Sequence, residues 1–167
     1  MDADRIIDAA LSNAVPREAV DRLQREMLGM PQATGMHTEH TFHGGMYCRR
    51  LFRPAGTVIV GRVHKKAHLF VCVSGEIIAW SESGMRRLLP GDLIESHPGT
   101  KRVTYAVKDS VGMTVHRTDQ TELEALEEEL LEPEPNALFD IRNDLKTPEI
   151  INEILKGLAC PSSQQQS

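Results

Sequence analysis

From Met46 to Arg117 the chain reads MYCRRLFRPAGTVIVGRVHKKAHLFVCVSGEIIAWSESGMRRLLPGDLIESHPGTKRVTYAVKDSVGMTVHR. Short runs rich in apolar and β-branched residues alternate here with turn residues. The runs are Met46–Arg53, Thr57–His64, Leu69–Val73, Glu76–Ser81, Arg86–Leu89, Leu93–Ser96, Arg102–Val107 and Val111–Arg117. They are parted by Pro54-Ala55-Gly56, Ser74-Gly75, Glu82-Ser83-Gly84, Pro90-Gly91-Asp92, His97-Pro98-Gly99 and Lys108-Asp109-Ser110. Glycine supplies the positive-φ turn conformations, and proline stands where a ladder needs no N–H. About eight short strands at this spacing predict a β-sandwich or barrel.

On either side the period is helical. Residues 2–30 read as two short amphipathic helices, one striped by Ile6, Ile7, Ala10 and Leu11, the next by Val20, Leu23, Met27 and Leu28. Pro16 suits a first turn, and Gly29 with Pro31 closes the second helix. After Thr118, Leu123, Leu126, Leu130 and Leu131 share a face opposite glutamates that read as a solvated surface. Thr147 is placed to cap a last helix striped by Ile150, Ile151, Ile154, Leu155 and Leu158. The expected division is a helical arm and lead-in (1–45), a β-barrel (46–117), C-terminal helices (118–160) and a tail of disordered composition (161–167).

Composition narrows the classes. The 167 residues suffice for one domain with helical additions. No apolar run approaches the roughly 18–20 residues of a membrane span. The acidic, polar start is unlike a secretory signal. Cys48, Cys72 and Cys160 are an odd set without metal-ribbon spacing. A cytoplasmic protein without membrane contact is expected, in the host cytoplasm if it is phage-encoded. The net charge of −5 is unevenly divided: residues 46–117 hold twelve Lys/Arg against five Asp/Glu. A basic barrel between acidic flanks is read in two ways, as flanks docked on the barrel or as a mouth that attracts an anion. Acidic flanks and scarce aromatics argue against nucleic acid as a partner. There is no G-x-S-x-G elbow, P-loop or G-x-G-x-x-G.

Three punctuations taken together are specific: Arg53-Pro54-Ala55-Gly56-Thr57, then Ser74-Gly75-Glu76 eleven residues beyond His64, then Pro90-Gly91-Asp92-Leu93 with Pro98-Gly99-Thr100. This arrangement resembles the cupin superfamily over about 70 residues. The resemblance implies a mainly β fold, a double-stranded jelly-roll barrel flanked by helices. In that family two histidines, a glutamate and a further histidine bind a divalent metal inside the barrel. Aligned on Gly75, those positions carry Arg62, His64, His68 and Arg102 here. His64 alone matches the pattern, and His68 replaces the glutamate with another ligand type. The segment Val63-His64-Lys65-Lys66-Ala67-His68 also resembles small cupin-like proteins frequent in bacteriophage and prophage genomes, which implies an origin rather than an activity.

Strand parity adds a third histidine. His64 and His68 share parity and can both face a barrel lumen. If Lys108-Asp109-Ser110 is a three-residue hairpin loop, Arg102 faces His116, and Arg102, Thr104, Gly112, Thr114 and His116 share a face. Three converging histidines suit one divalent transition metal, Zn, Fe, Ni or Mn. Arg102, joined by Arg62, is a candidate anion partner, since a guanidinium forks onto carboxylate or phosphate. Cys72 shares parity with His68 and is a candidate lining residue; Tyr105 is a candidate contact whose plainer place is the core. His37, His40 and His43 are spaced like a metal run but precede the barrel, and read as a loop or edge strand.

The function expected from these residues is binding of a small anionic molecule in the barrel without turnover. A phage-encoded accessory or anti-defence role extends the resemblance. The alternatives are a metal-dependent oxygenase or isomerase using His64, His68 and His116, and a virion or assembly component with the barrel as scaffold. A homo-oligomer, a dimer first, is expected.

Overall fold

In the computed structural model, residues 14–134, 137–146 and 148–159 are described. The elements run α1 (Arg17–Leu28), β1 (His37–His43), β2 (Met46–Arg53), β3 (Val58–Val60), β4 (His68–Ser74), β5 (Ile77–Ser81), β6 (Gly84–Leu88), β7 (Leu93–Ser96), β8 (Val103–Ala106), β9 (Ser110–Arg117), α2 (Leu123–Leu130) and α3 (Pro148–Ala159). The strands make two antiparallel sheets, ordered β1-β2-β9-β4-β7 and β3-β8-β5-β6. From β2 onward, earlier and later strands alternate, as β2-β9-β4-β7 and β3-β8-β5-β6, which is the interleaving of a jelly roll. The protein is therefore mainly β, with helices attached.

Most strands fall where the turn residues place them. Gly75 shows why its turn admits nothing larger. Its φ is +77°, and a Cβ there would lie 2.2 Å from the carbonyl oxygen of Asp109 and 2.4 Å from Ser110 Oγ. That close approach lets Ser110 Oγ accept from the Glu76 amide at 3.0 Å. The start of β9 is thereby fastened to the start of β5.

The structure departs from the sequence reading in three places. First, the sheet begins at β1, nine residues before Met46, with β1 paired along β2 from His37↔Phe52 to His43↔Met46. It is an edge strand, whose polar alternation hides it among turn-like residues. Second, the run from Thr57 to His64 is a strand only at Val58–Val60; His64 makes an isolated bridge to Leu131 instead. Third, β8 and β9 are not a hairpin. β8 lies between β3 and β5, while β9 lies between β2 and β4. Residues 107–109 carry the chain from one sheet to the other, held by Val107 N–H to Glu76 O and Ala55 N–H to Asp109 Oδ1. The expected facing of Arg102 with His116 is thus wrong as strand pairing, although the two still look into one space from opposite sheets.

The acidic flanks dock on the barrel. Leu126 and Leu130 are fully buried with Tyr47 and Ile141, each worth about 1.5–3 kcal/mol of removed apolar surface as an upper bound. The glutamates of this segment are not a free solvated face. Arg62 pairs with Glu127 and Glu134, Lys66 with Glu129, and Lys101 with Glu134 and with Asp21 of α1. Of α3's described side chains none is buried. The first N-terminal helix expected around Ile6, the Thr147 cap, the Ile154 and Leu158 side chains and the 161–167 tail lie outside the described residues. No helix among the described residues is long and apolar enough to cross a membrane.

Candidate metal centre and anion cavity

The inner faces of the two sheets enclose a cavity of about 810 Å³. Alternation decides what enters it. From β2 come Tyr47, Arg49, Leu51 and Arg53; from β9, Gly112, Thr114 and His116; from β4, His68 and Phe70. Register sets these in rows. His116 stands opposite Tyr47 and Thr114 opposite Arg49, while His68 stands opposite Ser96. Arg102 and Thr104 enter from the other sheet.

At one end His64, His68 and His116 come together, each offering a ring nitrogen within 4.8 Å of the others. Their ring centroids are 4.0, 4.9 and 4.6 Å apart. Burial first, then the neighbouring histidines and the Arg102 and Arg49 charges, pushes His64 down to about 2. Burial likewise lowers His68 to about 4 and His116 to about 3. All three imidazoles are therefore neutral at physiological pH, the form that ligates a metal. His68 is oriented by its Nδ1, 3.3 Å from the Lys66 carbonyl, which leaves Nε2 as its free lone pair. Nδ1 of His64 and of His116 is buried with no hydrogen-bond partner among the described residues. Clustered neutral imidazoles with unmet nitrogens fit a divalent transition metal, and three histidines leave a coordination position open.

Beside the cluster stands Arg102. Its Nη2 donates to Ser96 Oγ at 2.6 Å, and its guanidinium carbon lies 5.3 Å from the Phe70 ring centre. No carboxylate pairs with it among the described residues, and burial lowers its pKa to about 10. Arg62, the other expected anion partner, lines the cavity but is held by Glu127, Glu134 and the Glu132 carbonyl. It serves to fasten the C-terminal segment, so an incoming ligand would have to compete with those carboxylates. Cys72 faces inward but packs among Phe70, Ile77, Ala79 and Leu88, away from the cavity lining, where burial raises its thiol pKa. Tyr105, of opposite parity to Thr104, pairs with Val58 and Ile78 and lies outside the lining too.

Three side chains went unnoticed in the sequence. Arg49 and Arg53 share parity with Tyr47 and Leu51, and that alternation was the available signal that both point inward. Tyr47 is 2% exposed; its hydroxyl bonds His40 Nδ1 at 2.8 Å and burial lifts its pKa to about 12, so it remains a phenol. His40 is in this way tied to the cavity wall, whereas His37 and His43 are exposed on the edge strand.

No family model matches this chain, and no curated protein matches it. Among solved structures, KdgF from a Halomonas species is 18% identical over 55% of this chain and 86% of its own, with a TM-score of 0.47. A cupin superfamily protein from Desulfitobacterium hafniense is 10% identical over 66% and 96%, with a TM-score of 0.47. The DMSP lyase DddQ from Ruegeria pomeroyi is 17% identical over 56% and 54%, also with a TM-score of 0.47. The strand order shows a jelly-roll barrel; none of these likenesses reaches a TM-score of 0.5.

Proposed function

We propose that the barrel binds a small anionic molecule through Arg102, beside a divalent metal held by His64, His68 and His116. The observation that carries this reading is one partly buried guanidinium without a carboxylate next to three neutral imidazoles, two of which have a buried nitrogen without a partner. A buried charge without a counter-charge is costly, and an anion supplied from solution relieves that cost. When bound, the metal would supply a Lewis-acidic centre. The chain's own residues would do the rest: Arg102 orients the anion with its planar fork, Ser96 holds Arg102, and the docked α2 segment screens the cavity from water. An open coordination position also favours a second reading, in which the bound anion is turned over at the metal.

The test is elemental analysis of protein prepared without chelators, followed by a thermal-shift screen of carboxylates and phosphates with and without added zinc, iron, nickel or manganese. Metal near one per chain, lost in His68→Ala, and anion shifts lost in Arg102→Ala are expected. Absence of metal together with anion shifts indifferent to Arg102 would overturn the proposal. Product formation by the metal-loaded protein would establish the second reading.

A further inference from the structure

Arg53 is 4% exposed and pairs with Ser110, at the other end of β2 from Tyr47, which faces His116. Its Nη1 donates to Thr104 Oγ1 at 2.8 Å, and its guanidinium carbon lies 5.8 Å from the Phe70 ring centre. Its Nε is buried without a partner. A guanidinium carries five donor hydrogens, and one threonine hydroxyl is a small share of what it needs. No carboxylate pairs with it among the described residues. Arg49, on the same face of β2, repeats the pattern: the residue is only partly buried, yet its Nε is fully buried and unpartnered. Asp140 lines the same cavity, but it forms no ion pair with either arginine, and its Oδ1 accepts the Asp144 amide. Burial and the Arg49 charge together lower Arg53 to about 10.

The position of Arg53 is set by Gly112. A Cβ at residue 112 would lie 2.9 Å from Arg53 Nη2 and 2.9 Å from Phe70 Cζ, so the arginine head occupies the space a side chain would fill. Gly112 is four residues along β9 from His116, roughly 13 Å at about 3.3 Å per residue. The cavity thus holds two guanidinium groups, Arg102 beside the histidines and Arg53 beside Gly112, whose carbons lie 5.3 and 5.8 Å from the Phe70 ring centre. A single carboxylate engaged at Arg102 leaves Arg53 unmatched.

We propose that Arg53, supported by Arg49, forms a second anionic subsite, so that the ligand of this cavity is a linear dianion with a carboxylate at each end. This deepens the reading of Arg102 and the histidines given above and rests on it. Planar carboxylates match guanidinium forks, and an apolar stem between them would lie along Phe70.

Isothermal titration of the full chain with succinate, glutarate and adipate, against butyrate and pentanoate, tests this. The expected result is that at least one dicarboxylate binds about tenfold or more tightly than the monocarboxylates, one charge-assisted pair being worth that much. Arg53→Met should erase that margin, and Arg53→Lys should restore part of it. Equal binding of both series by wild type, or a margin retained in Arg53→Met, would overturn the second subsite and leave the Arg102 reading standing. Binding of neither series would overturn the dicarboxylate subsite and leave the parent reading to the phosphate arm of the thermal-shift screen, whereas binding of both unaffected by Arg102→Met would remove both readings. If Arg53→Met does not fold, the wild-type comparison across chain lengths decides alone.

Discussion

Removing Arg102 should make the unliganded protein more stable. At pH 7 the guanidinium is charged in both the folded and unfolded chain. Its pKa falls from 12.5 to about 10 on folding, with burial as the cause. The folded state holds the proton less tightly, so the shift is a cost of folding, roughly 3 kcal/mol at ~1.4 kcal/mol per tenfold. Against it stand the Ser96 hydrogen bond at 2.6 Å, worth about 1 kcal/mol, and the Phe70 contact at 5.3 Å, worth about 0.5–1 kcal/mol. Methionine keeps much of the apolar stem. Arg102→Met should therefore gain about 1–2 kcal/mol, a rise of roughly 2–8 °C in melting temperature for a chain of this size. The assay is thermal or urea denaturation of both proteins in a buffer free of carboxylate and phosphate. Saturating anion should then stabilise wild type by about 2.7 kcal/mol at a hundred times its dissociation constant, reversing the order. A variant clearly less stable than wild type in the anion-free buffer would refute the reasoning, because Arg102 would then be a prop of the fold.

His64→Ala, His68→Ala and His116→Ala should each lower bound metal sharply in elemental analysis without loss of the β signal in circular dichroism. Gly112→Ala should cost about 1–3 kcal/mol by overpacking and weaken anion binding, since its Cβ meets Arg53 and Phe70 at 2.9 Å; calorimetry reads both effects. Leu126→Ala, at a fully buried site, should cost about 2–5 kcal/mol in urea denaturation. Below pH 6.5 the unfolded chain takes up protons that the folded cluster refuses down to about pH 4. Metal-free protein should accordingly lose stability as pH falls through that window, by up to ~1.4 kcal/mol per pH unit for each histidine. His116→Gln should flatten this slope in urea titrations at pH 7, 6 and 5.

Which features were legible follows from how local their cause is. The turns at Gly75, Pro90-Gly91-Asp92 and Pro98-Gly99 have their reason within a few residues, so most strand positions could be read. His116 was placed inside the barrel correctly through a hairpin that does not exist. Parity along β9 belongs to the strand itself and survives the wrong partner, whereas pairing is settled by the whole sheet. β1 was half-legible because an edge strand needs no buried face. Arg62 and Arg102 looked alike in sequence. The difference between them, a docked segment carrying Glu127 and Glu134, lies more than sixty residues from one and some thirty from the other, and no local pattern reveals it.

That difference also relocates the barrel's excess of positive charge. At the mouth, Arg62, Lys66 and Lys101 are neutralised by the chain's own flanks, and on the outer surface Arg50 and Arg87 are met by Glu39 and Glu76. A long-range field drawing anions to the entrance is therefore weak, and what remains at short exposed separations is screened by salt. Among the described residues, the unmatched cations facing the cavity are Arg49, Arg53 and Arg102, where burial lessens screening. Selection of an anion then belongs to the interior. It would show in how slowly a bound dianion leaves rather than in how fast it arrives, because burying paired charge governs departure while surface charge governs encounter. A metal at the histidines would add to the same positive cavity. Metal and anion should each raise the other's affinity by one shared factor, as linkage requires, and the cavity would be stable fully charged only when both are present.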